Sequence, residues 1–213
     1  MKITHDIEQG SPEWLDMRLG LITCSEISAI RADGAGAQTY INALAYERIT
    51  GESSSVFDGN DWTKRGQELE PVARQMYEKK TGYNVQMVSF VENKGFGYSP
   101  DGLIHLASHG NELSDSKYYT YGGLEIKVKQ PAEQIHILRT GEIPKKHLDQ
   151  LHGGMSCAEL AWIDFVSYCP NLPLFIKRLH IDDIRKEMEK IDKLVDKYNQ
   201  QVEEVVSQIS GMY

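Results

Sequence analysis

Ser99-Pro100-Asp101-Gly102 and Leu124-Glu125-Ile126-Lys127 are the two stretches on which the reading of this chain turns. Side chains alternate along a β-strand, so Glu125 and Lys127 project from one face of a strand over Leu124 to Lys129 while Ile126 points the other way, into a core. A carboxylate and an ammonium are thereby held side by side. Pro100 keeps Ser99 out of the helical region and fixes the approach to Asp101, which presents a second carboxylate at the end of a neighbouring strand.

Oxygen donors of this kind suit magnesium, a hard cation usually held by one or two carboxylates together with waters and substrate phosphate. The expected ligands are Asp101, Glu125 and the backbone carbonyl of Ile126, with Glu70 a further carboxylate from a helix. Manganese is an expected substitute. The arrangement suits phosphodiester hydrolysis, because a metal there binds the scissile phosphate, acidifies a water and stabilises charge on the leaving oxygen. Lys127 has two chemical uses in such a site: orienting or deprotonating the attacking water, or neutralising charge as it develops on phosphorus. One-metal and two-metal chemistry both fit. Taken singly, Pro-Asp-Gly is a common turn and Glu-x-Lys a common solvated pair; their combination carries the weight.

Outward from this centre, the segment from 83 to 129 reads as an antiparallel meander: a strand over Val85 to Val91, a Gly95/Gly97 turn, a strand from Tyr98 to Ile104, a polar loop over 105–121 and the Glu-x-Lys strand. Before it, Ser11-Pro12-Glu13 starts a short helix over 12–19 that Gly20 stops. Thr23 and Ser25 cap a second helix beginning near Glu26, so that Arg18 and free helix amides face one another as an anion pocket. The apolar spacing predicts helices over 39–50 and 61–81, with Glu70 beside the apolar face of the latter. After the meander come helices over 131–140 and 144–160, strands over 161–168 and 173–180, and a long amphipathic helix over 182–209. This order predicts an α/β fold with a mixed central sheet flanked by helices, in a single domain over 1–213.

The chain carries 31 acidic and 23 basic side chains, a formal charge of −8, which excludes a protein that grips nucleic acid through a broad basic surface. Phosphate contacts are therefore local, at clusters such as Lys127/Lys129 and Lys145/Lys146. The three cysteines, Cys24, Cys157 and Cys169, suit neither a disulfide framework nor a paired zinc site and read as structural thiols. They are also too few for the four thiolates of an iron–sulfur cluster. Without a membrane-length apolar run or a leader pattern, the expectation is a soluble, cytoplasmic protein.

The sequence resembles the family of phage lambda exonuclease and the YqaJ-like viral recombinases, the alkaline exonucleases of the PD-(D/E)xK superfamily. The likeness runs in order through Arg18-Leu19-Gly20-Leu21-Ile22-Thr23-Cys24-Ser25-Glu26, Gly66-x-x-x-Glu70, Ser99-Pro100-Asp101-Gly102-Leu103, Leu124-Glu125-Ile126-Lys127 and Gln150. It implies a restriction-endonuclease-like core in which Asp101 and Glu125 are metal ligands with Glu70 nearby, Lys127 is the catalytic lysine, and Arg18, Ser25, Ser99 and Gln150 receive the 5′-phosphate of a DNA end. It further implies a ring-shaped homotrimer that threads duplex DNA, digests the 5′-ended strand to mononucleotides and leaves a 3′ overhang for a single-strand annealing partner. An endonuclease of the same core, or a DNA-end-binding subunit without chemistry, are the alternatives. The chain departs from the lambda enzyme at Ala32-Asp33-Gly34-Ala35-Gly36-Ala37, which lacks basic residues, and in the long 105–121 loop.

His105, His109, His136, His147 and His152 are too scattered to suggest a transition-metal site. Trp14, Trp62 and Trp162 sit in apolar patterns and read as core residues rather than base-stacking platforms. The C-terminal helix, with Ile184, Met188, Ile191, Leu194, Val195, Tyr198 and Val202 on one face, reads as a packing helix rather than an oligomer seam.

Overall fold

The computed structural model describes residues 1–54, 61–105 and 121–212, with 61–63 described as backbone only. Most of the 105–121 loop, His109 and the Trp62 side chain therefore lie outside the described residues. In chain order the elements are β1 (Lys2–Thr4), α1 (Pro12–Asp16), β2 (Ile22–Thr23), a 3-10 turn (Cys24–Glu26), α2 (Ile27–Ala32), α3 (Ala35–Thr50) and α4 (Asp61–Thr81). Then follow β3 (Phe90–Asn93), β4 (Phe96–Tyr98), β5 (Gly102–His105), β6 (Tyr121–Val128), α5 (Pro131–Thr140), α6 (Lys145–Cys157), β7 (Leu160–Tyr168), β8 (Phe175–His180) and α7 (Ile181–Ser210).

The strands form two sheets, ordered β1-β3-β4-β2 and β5-β6-β7-β8. The second is the mixed sheet that the α/β pattern predicts: β6 runs antiparallel to β5 and parallel to β7, and β8 runs antiparallel to β7. Every residue of β7 is buried, as befits a strand covered on both faces. Its side chains divide by parity. Ile163 and Phe165 join a core with α2, α3, α6 and α7, while Trp162 and Val166 join Ile126 of β6 and Ala73 and Tyr77 of α4 on the opposite face. On the α7 side, Ile184, Met188, Ile191, Val195, Tyr198 and Val202 form a buried stripe at helical spacing, which is the packing role expected of that helix.

The antiparallel meander is not what forms. Tyr98 and Gly102 lie in different sheets, because Pro100 has no amide hydrogen to continue a ladder and the chain crosses from β4 to β5 at Ser99-Pro100-Asp101. The strand expected over Val85 to Val91 is reduced to β3 and a lone bridge between Gln86 and Leu103. The first helix ends at Asp16, short of Gly20. The helix expected near Glu26 begins as the 3-10 turn, and Thr23 and Ser25 share a hydroxyl contact at 3.1 Å instead of a side-chain cap, so the amide-lined pocket expected there is not built that way.

Two glycines of β6 are set by close packing. A Cβ on Gly122 would lie 2.3 Å from the Trp162 ring, and one on Gly123 would lie 2.5 Å from Leu160. Trp162 in turn floors a buried charge network on the α4 face. Arg178 of β8 forks onto Asp164 with both contacts at 2.8 Å, stacks over the Trp162 ring at 3.5 Å, and shares Asp164 with the Tyr77 hydroxyl at 2.7 Å. The fork and the third hydrogen bond satisfy a carboxylate that is almost wholly withdrawn from water.

Candidate active site

The crossing between sheets positions the first carboxylate. Gln9 donates to the Pro100 carbonyl at 3.3 Å and Arg74 Nε to the Asp101 carbonyl at 3.0 Å, clamping the Ser-Pro-Asp backbone. Asp101 Oδ2 then accepts the Ile126 amide at 2.6 Å, so its carboxylate lies against β6 at the residue between Glu125 and Lys127. The second carboxylate, Glu125, is buried, with Lys127 Nζ at 2.7 Å from Oε1 as strand alternation requires. Gln150 of α6 donates to the same oxygen at 2.7 Å, and the Tyr98 hydroxyl donates to Oε2 at 3.0 Å. Glu70 stands on α4, ion-paired to Arg74 one turn along. A cavity of about 330 Å³ opens onto Glu70, Asp101, Ile126 and Lys127.

Electrostatics tie these groups together. Burial, then the charges of Glu125 and Glu70, push the Asp101 carboxyl well above the usual carboxylate range. Burial raises Glu70 as well, against the pull of Arg74. For Lys127, burial favours the neutral amine, but Glu125 and Asp101 outweigh it and hold the ammonium above its ordinary pKa. Among the described residues, three carboxylates share Lys127 here, and Arg74 is paired to Glu70.

Among the described residues no group of three His, Cys, Asp or Glu side chains is arranged to hold a metal. The donor set nevertheless fits a hard divalent ion, which needs only one or two carboxylates and completes its shell with carbonyl oxygen and water. Asp101 and Glu125 each keep lone pairs beyond the hydrogen bonds described, and their mutual repulsion is what a divalent ion would relieve.

The expected phosphate pocket is partly assembled. Arg18 donates to Ser99 Oγ at 3.3 Å and lies 4.2 Å above the Trp14 ring, which is itself anchored by its indole nitrogen on the Ser89 carbonyl at 3.1 Å. Burial lowers the Arg18 pKa, and no carboxylate is ion-paired to it among the described residues. Ser25 is exposed and bonded to Thr23, whereas Gln150 reaches the Glu125 carboxylate. Tyr98, Arg74 and Gln9 are site residues that the sequence reading passed over. Arg74 has a signal, its position four residues after Glu70; Tyr98 reaches Glu125 from the other sheet and Gln9 reaches Pro100 from the segment before α1, contacts that no local pattern discloses.

Pro-Asp at the mouth of one strand and Glu-x-Lys on its neighbour, in a mixed sheet between helical layers, define a PD-(D/E)xK-related fold of the restriction-endonuclease-like class. Comparison with known proteins narrows the class. Residues 13–161, more than half of the chain, match the YqaJ-like viral recombinase domain, and the chain belongs to that family. It is similar to LHK-Exo, an alkaline exonuclease from Laribacter hongkongensis, whose structures include one in complex with dAMP, at 29% identity and a TM-score of 0.73 over 95% of this chain and all of that one. A phage-related exonuclease from Haemophilus somnus 129PT has the same fold at 16% identity, with a TM-score of 0.59 over 89% of this chain and 96% of that one. No curated protein matches the chain.

Proposed function

We propose that residues 1–213 are a single magnesium-dependent nuclease domain, a 5′-to-3′ exodeoxyribonuclease that releases 5′-mononucleotides from duplex ends and leaves 3′ single-stranded overhangs. The observation that carries this reading is the joint at Ser99-Pro100-Asp101. Ser99 bonds Arg18, a guanidinium suited to a terminal phosphate, while Asp101 bonds the strand that bears Glu125 and Lys127. A phosphate receptor and a carboxylate–lysine cluster thus lie one proline apart. The likeness to LHK-Exo, which binds dAMP, agrees with a 5′-mononucleotide product.

In this reading Asp101, Glu125 and the Ile126 carbonyl hold magnesium, with manganese as a substitute and Glu70 beside them. The ion, when bound, supplies Lewis acidity at the scissile phosphate and a more acidic water. The chain's own groups do the rest. The Ile126 amide fixes one Asp101 oxygen, and Gln150 and Tyr98 hold the two oxygens of Glu125, so neither carboxylate reorganises during reaction. Lys127, kept cationic by Glu125, holds the attacking water or meets charge developing on the phosphate oxygens. Arg18 and Ser99, with Ser25 and Gln150 alongside, receive the 5′-phosphate and set which bond lies over the carboxylates. A homotrimeric ring around the duplex would supply processivity without a basic exterior, consistent with a formal charge of −8, and a single-strand annealing recombinase would take the overhang.

The test is a time course on end-labelled linear duplex, with and without 5′-phosphate, beside closed circles. Mononucleotide release from 5′-phosphorylated ends in magnesium is expected. Equal cutting of circles would favour an endonuclease, and no release with either metal would favour an end-binding subunit.

A further inference from the structure

Among the described residues, one lysine beside this centre has no carboxylate partner. Lys129 follows β6, its amide continuing the ladder to the Tyr168 carbonyl at 2.7 Å, so its side chain lies on the same face as Glu125 and Lys127. It is 6% exposed, and among the described residues its ammonium contacts one polar side chain, His147 Nε2 on α6, at 2.8 Å. An ammonium only donates, so Nε2 accepts and the imidazole is neutral. The ring is held by stacking on Phe165, with centroids 5.5 Å apart. Burial lowers the His147 pKa to about 3, aided by Lys129, Lys127 and Lys146. Burial, then Lys146, pulls Lys129 down to about 8, with Glu133 acting the other way.

Withdrawing a cation from water without an anionic partner is costly, and a structure that retains one has commonly kept it for a ligand. Lys129 opens onto a cavity of about 310 Å³ shared with Arg65, Gln130 and Glu133 at the start of α5. Val128 lines both this cavity and the one over Asp101. Glu133 is engaged by Lys146 at 3.0 Å, and that pair is exposed at the rim. Two residues of strand advance the chain about 7 Å, a step comparable to that between neighbouring phosphates of one nucleic-acid strand.

Building on the nuclease reading above, we propose that Lys129, seated on neutral His147, is an anion subsite for the backbone phosphodiester next to the bond cut at Asp101, Glu125 and Lys127. It supplies strand register. The three same-face residues of β6 and its continuation then divide the work: Glu125 would hold metal, Lys127 serves the scissile phosphate and Lys129 its neighbour.

The experiment compares Lys129→Gln, which keeps a donor toward His147, and Lys129→Met, which suits a buried site, each alone and in an Asp101→Asn background that spares the DNA. Expected for both is about tenfold weaker binding of 5′-phosphorylated duplex irrespective of sequence. The slope of log affinity against log salt should be shallower by about one. In the active background KM rises more than kcat falls. Unchanged slope and KM in variants of a parent that releases nucleotides overturn the subsite and leave the nuclease reading standing. A Lys129-dependent slope in a parent that releases nothing does the reverse. Protein carrying ¹³Cε-lysine separates the two phosphate sources: a Lys129 resonance that moves with a short oligonucleotide and not with inorganic phosphate supports a backbone subsite, and movement with inorganic phosphate alone overturns it.

Discussion

Replacing Asp101 by asparagine should raise the thermal stability of the metal-free protein while abolishing its activity. The amide keeps an oxygen for the Ile126 hydrogen bond at 2.6 Å and removes only the charge. That charge is opposed by burial and by Glu125 and Glu70, so the folded protein binds the Asp101 proton more tightly than the unfolded chain does. For a carboxyl raised in this way, stability is full below the ordinary carboxylate range and declines as pH rises through it toward the folded value. At neutral pH in EDTA the substitution should therefore stabilise by about 1–2 kcal/mol, the size of other repairs of locally unfavourable sites. A chain of this length gains about 2–4 °C in Tm per kcal/mol. Differential scanning calorimetry from about pH 4, near the carboxylate reference values, up to about pH 8 should show the gap closing in acid. Saturating magnesium should reverse the order, because a ligand at a hundredfold excess over its Kd adds about 2.7 kcal/mol to the protein that retains its binding site. A variant that melts at or below the parent in EDTA at neutral pH, or that gains as much from magnesium, would refute the view of Asp101 as a strained metal ligand.

Lys127→Ala should lower kcat by about 10²–10⁴ with KM little changed, read from single-turnover release of labelled nucleotide. Gly154→Ala on α6 would place a Cβ 2.7 Å from the Tyr98 ring and displace the hydroxyl that holds Glu125 at 3.0 Å; a fall in kcat that Tyr98→Phe reproduces without further loss in the double variant is expected. Asp164→Ala leaves Arg178 without its fork, on the strand next to β6, and should cost about 3–5 kcal/mol by urea unfolding. Gly122→Ala, whose Cβ would fall 2.3 Å from Trp162, should cost about 1–3 kcal/mol by the same measurement.

The elements that rest on one amphipathic face are legible from sequence: α4, α5 and α7 fall within a residue or two of their expected bounds, since their buried stripes are local at 3.6-residue spacing. The Glu-x-Lys pairing is equally local, because strand parity alone brings Lys127 beside Glu125. The division into two sheets is not local. Tyr98 to Ile104 carries the composition of one strand, and only the absent Pro100 amide hints that its halves belong to different ladders. Tyr98, Gln9 and the seating of Lys129 on His147 are long-range contacts, the last spanning the whole of α5 and the turn after it. Such contacts have no period to read.

The proline joint between the sheets also makes the protein a mechanical comparator. Ser99 is fastened through Arg18 to the β1–β4 side and Asp101 through Ile126 to the β5–β8 side, so any sliding of one sheet across the other is felt at both ends of a three-residue link. In the function proposed above, a nucleic-acid terminus held by the arginine would thereby be coupled, through a rigid ring with a fixed torsion, to the placement of the Asp101 carboxylate. Loosening that link, for instance with Pro100→Gly, would let recognition and cutting drift out of step while leaving each set of contacts intact.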